Sequence, residues 1–97
     1  MKVSFIASAN VELDEAITYY DDQLPGLGFR FYGEVDAAIE RIKHMPEAWT
    51  NIGPHTRRCI LNGFPYALLY AIETDLILIT AVAHLHRDPE HFKDRIS

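Results

Sequence analysis

Residues 56–85 read TRRCILNGFPYALLYAIETDLILITAVAHL, and this stretch decides the fold. Thr56 to Leu61 is a short β-type run. Asn62-Gly63 follows, a dipeptide suited to a tight hairpin turn because such turns need positive φ at their central positions. Pro65 to Glu73 is a second run, with proline tolerable at its first residue. Glu73-Thr74-Asp75 makes a tight connection. Leu76 to Leu85 is apolar on both faces, which predicts an interior, covered strand. Three strands joined by short links form an antiparallel meander.

Upstream the period changes from two to 3.6. Leu27, Phe31, Val35, Ala38, Ile42 and Met45 alternate four and three apart, and Pro46 ends the helix they predict. Phe29, Tyr32 and Ile39 widen its apolar face, and these aromatics, with Phe31 and Trp49, are expected in the core. Before it, Leu13, Ala16, Ile17, Tyr20 and Leu24 mark another helix, with Ser8 as its cap and Glu12, Asp14, Glu15, Asp21 and Asp22 turned to solvent. Pro25-Gly26-Leu27-Gly28 separates the two helices, with Gly26 at a left-handed position. Lys2 to Ala7 reads as a strand, and Ala48 to Pro54 as a loop. Asp88 caps a last helical turn beginning at Pro89.

The predicted fold is therefore α+β. An N-terminal strand precedes an antiparallel helical hairpin packed on one face of a twisted antiparallel sheet, and a short C-terminal helix ends the chain. The first strand must pair with a later one, since a lone strand leaves backbone groups unsatisfied. A length of 97 residues allows one domain over 1–97, because two cores of half that size would each need disulfides or metal.

Apolar residues make up 48% and charged residues 24%, as in an ordinary globular protein. No segment approaches the ~20 apolar residues that cross a bilayer. The run from Met1 to Ile6 is too short for a signal peptide. Cys59 is the one cysteine, so no internal disulfide forms, and the expected compartment is the reducing cytoplasm. The net charge of −5 speaks against a general nucleic-acid binder. It is unevenly placed: residues 1–50 hold four bases against nine acids, and residues 51–97 hold five against five. No acid occurs between Gly53 and Ile72, so the second half can attract an anion locally.

His84, His86 and His91 lack an acidic or cysteine partner at a recognised metal spacing, so no metal or cofactor is expected. Cys59 lies inside a strand, where a small buried hydrophobe is the usual role. Arg57 and Arg58 on the first meander strand, with Arg87 after the last, are the notable constellation. Adjacent strand residues face opposite ways, so only one of Arg57 and Arg58 shares a face with a given partner. Tyr66 and Tyr70 share a face. Such a surface clamps phosphates or an acidic peptide, or is an ordinary solvated face.

The segments Val3 to Ile6 with Leu13-Asp14-Glu15-Ala16-Ile17-Thr18-Tyr19-Tyr20, then Arg57-Arg58-Cys59-Ile60-Leu61, Phe64-Pro65-Tyr66-Ala67-Leu68-Leu69-Tyr70 and Ala81 to Pro89, resemble toxins of the RelE/ParE superfamily. The resemblance runs in order along nearly the whole chain. It implies a plasmid-stabilisation toxin of a type II toxin–antitoxin pair, neutralised by a cognate antitoxin that wraps around it. One branch inhibits DNA gyrase; the other cleaves messenger RNA on the ribosome. The tail carries Phe92 and no tyrosine, and phenylalanine cannot move a proton. With the acidic net charge, this favours the gyrase-binding, ParE-like branch. The resemblance maps Arg58 and Arg87 onto basic positions of the family and His84 onto a recurring histidine; with the rest of the basic sheet face and the tail, the expected target- or phosphate-binding residues are Arg57, Arg58, Arg87, Lys93 and Arg95. His84 would be a proton carrier only in a ribonuclease. The alternatives are that ribonuclease, or a degenerate toxin that only binds its antitoxin.

Overall fold

The computed structural model describes residues 1–97. In chain order it contains β1 (Lys2–Phe5), α1 (Ala7–Gln23), α2 (Leu27–His44), β2 (Thr50–Asn51), β3 (Arg57–Ile60), β4 (Tyr66–Glu73), β5 (Leu76–His84) and a C-terminal 3-10 segment (Pro89–Arg95). The expected α+β architecture is present, with one five-stranded sheet in the order β1-β5-β4-β3-β2.

Two features of the sheet differ from expectation. β1 runs parallel to β5, so the sheet is mixed, while its other neighbours are antiparallel. A parallel pair needs a long crossover, and the helical hairpin with the strands after it supplies one. The second is β2, a two-residue strand inside the segment expected to be loop, which pairs with Arg57 and Arg58.

α1 begins directly after β1. The Ile6 N–H donates to Ile79 O, and Ile6 O accepts the Asn10 N–H, so the chain enters the helix without a side-chain cap. Ser8 lies inside the first turn and caps nothing. Gly26, at φ 90°, occupies the left-handed position between the helices. The cap of α2 comes from α1: Asp21 Oδ1 accepts the N–H groups of Gly26 and Gly28 at 3.0 and 3.2 Å. Gly28 lets the helices approach, since a Cβ there would stand 2.5 Å from Ile17 O.

Both helices cover one face of the sheet. Leu13 and Ala16 of α1 and Phe31, Val35 and Ile42 of α2 pack on Cys59, Leu68, Tyr70, Ile77, Ile79 and Val82. On the opposite face Leu69, Ala81 and Ala83 are covered by Phe92 of the 3-10 segment. β5 is thus interior and covered, as its two apolar faces require. Asp88 caps the 3-10 segment, its Oδ1 accepting the Glu90 N–H at 2.9 Å. Two of the expected core aromatics lie outside: Phe29 is 80% exposed and Tyr32 44%. They lie away from the buried stripe of α2 formed by Phe31, Val35, Ala38 and Ile42.

Pairing between β4 and β5 starts in hairpin register, Glu73 with Leu76 through Tyr70 with Ile79. It then skips Thr80, and Leu69 pairs with Ala81 and Tyr66 with His84. Thr80 is a bulge. One extra residue flips every following side chain to the other face. Ile79 and Val82 therefore both reach the helix-side core.

Candidate functional site

An open cleft of about 850 Å³ lies between α1, the ends of β4 and β5, and the 3-10 segment. Tyr19 and Glu15 on α1 form one wall, Tyr66 and His84 on the strands form the floor, and Arg87 and His91 form the opposite wall. The Tyr66 and His84 rings meet edge to face, with centroids 4.9 Å apart. His84 Nδ1 accepts the His86 N–H at 3.0 Å, so a neutral ring carries its proton on Nε2. Arg87 Nη1 lies 3.5 Å from His91 Nε2. Burial pushes the Tyr66 hydroxyl above its ordinary pKa, partly offset by the Arg87 charge. The cleft thus offers aromatic surface, one arginine and two imidazoles, an arrangement that holds an anionic group beside an apolar one.

The residues named from sequence do not all gather here. Arg87 and His84 line the cleft. Arg57 lies on the helix-covered face, with Cys59 and Tyr70, and its Nη1 donates to Glu47 O at 2.9 Å and Trp49 O at 2.7 Å. Arg58 faces the other way, paired across to Leu69. Arg95 Nη2 donates to Glu12 Oε2 at 2.6 Å, and its Nη1 to Thr80 O at 3.2 Å. Lys93 forms an exposed ion pair with Glu90 at 3.3 Å. Tyr66 and Tyr70 do share a face, but it is the helix-covered one. The Tyr70 hydroxyl donates to Pro46 O, and burial pushes its pKa up to about 12. Cys59 is buried; burial raises its thiol, against the neighbouring Arg41.

Three contributions escaped sequence reasoning. Glu12 was expected in solvent, yet its Oε1 accepts the Val82 N–H at 3.0 Å while Oε2 meets Arg95. Nothing local signals a partner 83 residues away. Tyr19, next to the helical Tyr20, is an exposed aromatic in the cleft wall, a place that its position in the sequence does not give. The pairing of Tyr66 with His84 was hidden by the bulge, since the hairpin register alone sets Tyr66 against Ala83. No three or more His, Cys, Asp or Glu side chains are grouped to hold a metal ion, and no helix is long and apolar enough to cross a membrane.

No family model matches the chain. It is 34% identical over 87 residues to the protein called Toxin ParE2 in two strains of Mycobacterium tuberculosis, covering 89% of this chain and 83% of the relative. Its fold is similar to that of a chain from the structure titled Chromosomal ParDE TA system from P. aeruginosa. The TM-score is 0.77 and the identity 13%, over 89% of this chain and 97% of that one.

Proposed function

The chain belongs to the ParE family of toxins, and from that premise we propose that it inhibits growth by binding DNA gyrase and is neutralised by a cognate antitoxin. The observation that carries this reading is the 34% identity to Toxin ParE2 across 89% of the chain. The geometry supports binding rather than chemistry. Among the basic residues named from sequence, Arg57 and Arg95 are spent on internal carbonyls and a carboxylate, and Lys93 on Glu90. Arg87 alone of the five opens into the cleft. A ribosomal RNA surface is bound by neutralising several phosphates, which one arginine on a chain of charge −5 does poorly. A protein target needs only a shaped cleft and a few polar anchors.

A second reading has one observation in its favour. The cleft sets a tyrosine hydroxyl, an imidazole and a guanidinium together through Tyr66, His84 and Arg87. These are the group types that move protons and hold a phosphate in a ribonuclease. Tyr66 would supply the hydroxyl that Phe92 lacks. Inducible expression in a sensitive host separates the readings. Under the gyrase reading, purified gyrase loses supercoiling activity and an abundant transcript stays intact by primer extension. Codon-phased cleavage that vanishes in His84→Ala, with gyrase unaffected, installs the ribonuclease. Antitoxin binding with neither effect identifies a degenerate toxin.

A further inference from the structure

α2 buries one stripe, Phe31, Val35, Ala38 and Ile42, against α1 and the sheet. Its outer side is not an ordinary solvated helix face. Phe29 is 80% exposed there and Tyr32 44%. One turn on from Phe29 stands Gly33, also exposed, and one turn further Ala37, half-exposed. A glycine within a helix costs stability unless something must approach it closely. Gly28 has that reason in Ile17 O, but a Cβ at Gly33 would meet nothing within 4 Å. Two aromatic rings thus flank a stretch of bare backbone that this chain itself leaves uncovered.

The charges of α2 divide at Gly33. From Leu27 to Gly33 the one charged residue is Arg30; from Glu34 to Glu40 the charged residues are Glu34, Asp36 and Glu40. Glu40 pairs with Lys43, while Arg30, Glu34 and Asp36 have no ion-pair partner in the chain. This pattern complements itself when reversed. Two α2 helices crossing antiparallel at Gly33 bring Arg30 of one copy level with Asp36 of the other, each three residues from the crossing, and beside its Glu34. Phe29 comes level with Ala37, each four residues from the crossing, so a large ring meets a small side chain. A parallel pair would set Arg30 against Arg30 and acid against acid, which repel.

We propose that this face of α2 is a self-association surface, and that its occupant is a second copy of the same chain, antiparallel and related by a two-fold axis. Each Phe29 ring packs over Gly33 and Ala37 of its mate, and each Arg30 meets the acids of its mate. A single helix pair covers less than the ~800 Å² per partner of a standard interface, so the dimer is weak and dissociates on dilution. No residue of α2 lines the cleft, so pairing leaves both clefts open. The inference stands whether the target is gyrase or the ribosome.

The test is sedimentation of the full chain over a concentration series, joined to disulfide trapping. The dilute chain should run as a monomer of 11.1 kDa and approach twice that mass near ~500 µM. Phe29→Asp and Arg30→Glu should each weaken the dimer at least about tenfold. Arg30→Glu combined with Glu34→Arg and Asp36→Arg should return it to within about threefold of wild type, because reversed charges still match. All four positions are exposed or half-exposed, so these variants fold. Under an added oxidant, Gly33→Cys should link to its mate, Cys59 being buried. Glu40→Cys should not, since antiparallel mates at that position lie about 20 Å apart against a limit of about 7 Å. A wild-type chain that stays monomeric through ~500 µM overturns the proposal, as does one whose Phe29 is shielded only by the product of the adjacent small gene. Equal trapping at Glu40→Cys, or no rescue by charge reversal, overturns the antiparallel pairing.

Discussion

Glu12 and Arg95 stand 83 residues apart in the chain and 2.6 Å apart in the fold. Their side chains are 16% and 18% exposed, so the pair is largely shielded from water. It ties α1 to the C-terminal segment and holds the bulge at Thr80 between two bonds. Removing one partner leaves a charge without its counterion and a backbone group without its bond.

Glu12→Ala should therefore destabilise the protein by about 1.5–3 kcal/mol, the range for hydrogen bonds to charged groups. Glu12→Gln keeps an acceptor for the Val82 N–H and should cost less. Urea denaturation reads both as a lower midpoint at unchanged slope. In a double-mutant cycle with Arg95→Ala, losses that simply add would show that the two residues do not act as a pair.

Gly28 and Gly33 give opposite expectations on one helix. A Cβ at Gly28 would collide with Ile17 O at 2.5 Å, whereas one at Gly33 would meet nothing within 4 Å. Gly28→Ala should cost about 1–3 kcal/mol by forcing the helices apart. Gly33→Ala should stabilise by about 0.5–1 kcal/mol, through lower chain entropy in the unfolded state. Thermal melts of the two variants should move in opposite directions.

The Tyr70 hydroxyl is buried and bonded to Pro46 O, and its pKa lies near 12 against 10.0 when unburied. The raised pKa means that the fold favours the neutral phenol. Its contribution is complete below pH 10 and is lost as pH rises from there to about 12. Tyr70→Phe removes the bond at a cost of about 1–2 kcal/mol at neutral pH and removes this alkaline sensitivity. Urea midpoints at pH 9 and pH 11 should converge between wild type and variant. An equal gap at both values would contradict the assignment.

The arginines should divide by role. Arg57→Ala frees the carbonyls of Glu47 and Trp49 and should destabilise by about 1–3 kcal/mol. Arg87→Ala should move stability by no more than about 0.5 kcal/mol and abolish growth inhibition. Arg58 lies on the other face, so loss of inhibition in Arg58→Ala would place a second contact there. Unchanged inhibition in both Arg58→Ala and Arg87→Ala removes them from the target-binding set.

The helices were legible from their period and the strands from their length and their flanking turns. Leu13, Ala16 and Tyr20, then Phe31, Val35 and Ile42, recur as helices must, and the meander shows as short apolar runs bounded by turn residues, as covered strands do. Turn chemistry at Gly26, Asn62-Gly63 and Asp88 fixed where elements stop. Phe29 misled because a wide apolar stripe resembles a wide buried face, while only one side of α2 has a neighbour.

What the sequence by itself determined was the order, type and approximate ends of the elements other than the two-residue β2, and the choice of α+β, since those depend on residues within a few positions of one another. The tertiary structure decided which way β1 runs, which carboxylate turns inward, and which face His84 occupies. The last depends on a single bulged residue. Thr80 is accommodated by bonds at its flanks from Glu12 and Arg95, on opposite ends of the chain. Side chains along a strand alternate with period two, so that one residue carries His84 from the face of Ala83 to the face of Tyr66 and opens the cleft. No local pattern encodes it, because the groups that hold the bulge in place meet it only after the chain has folded.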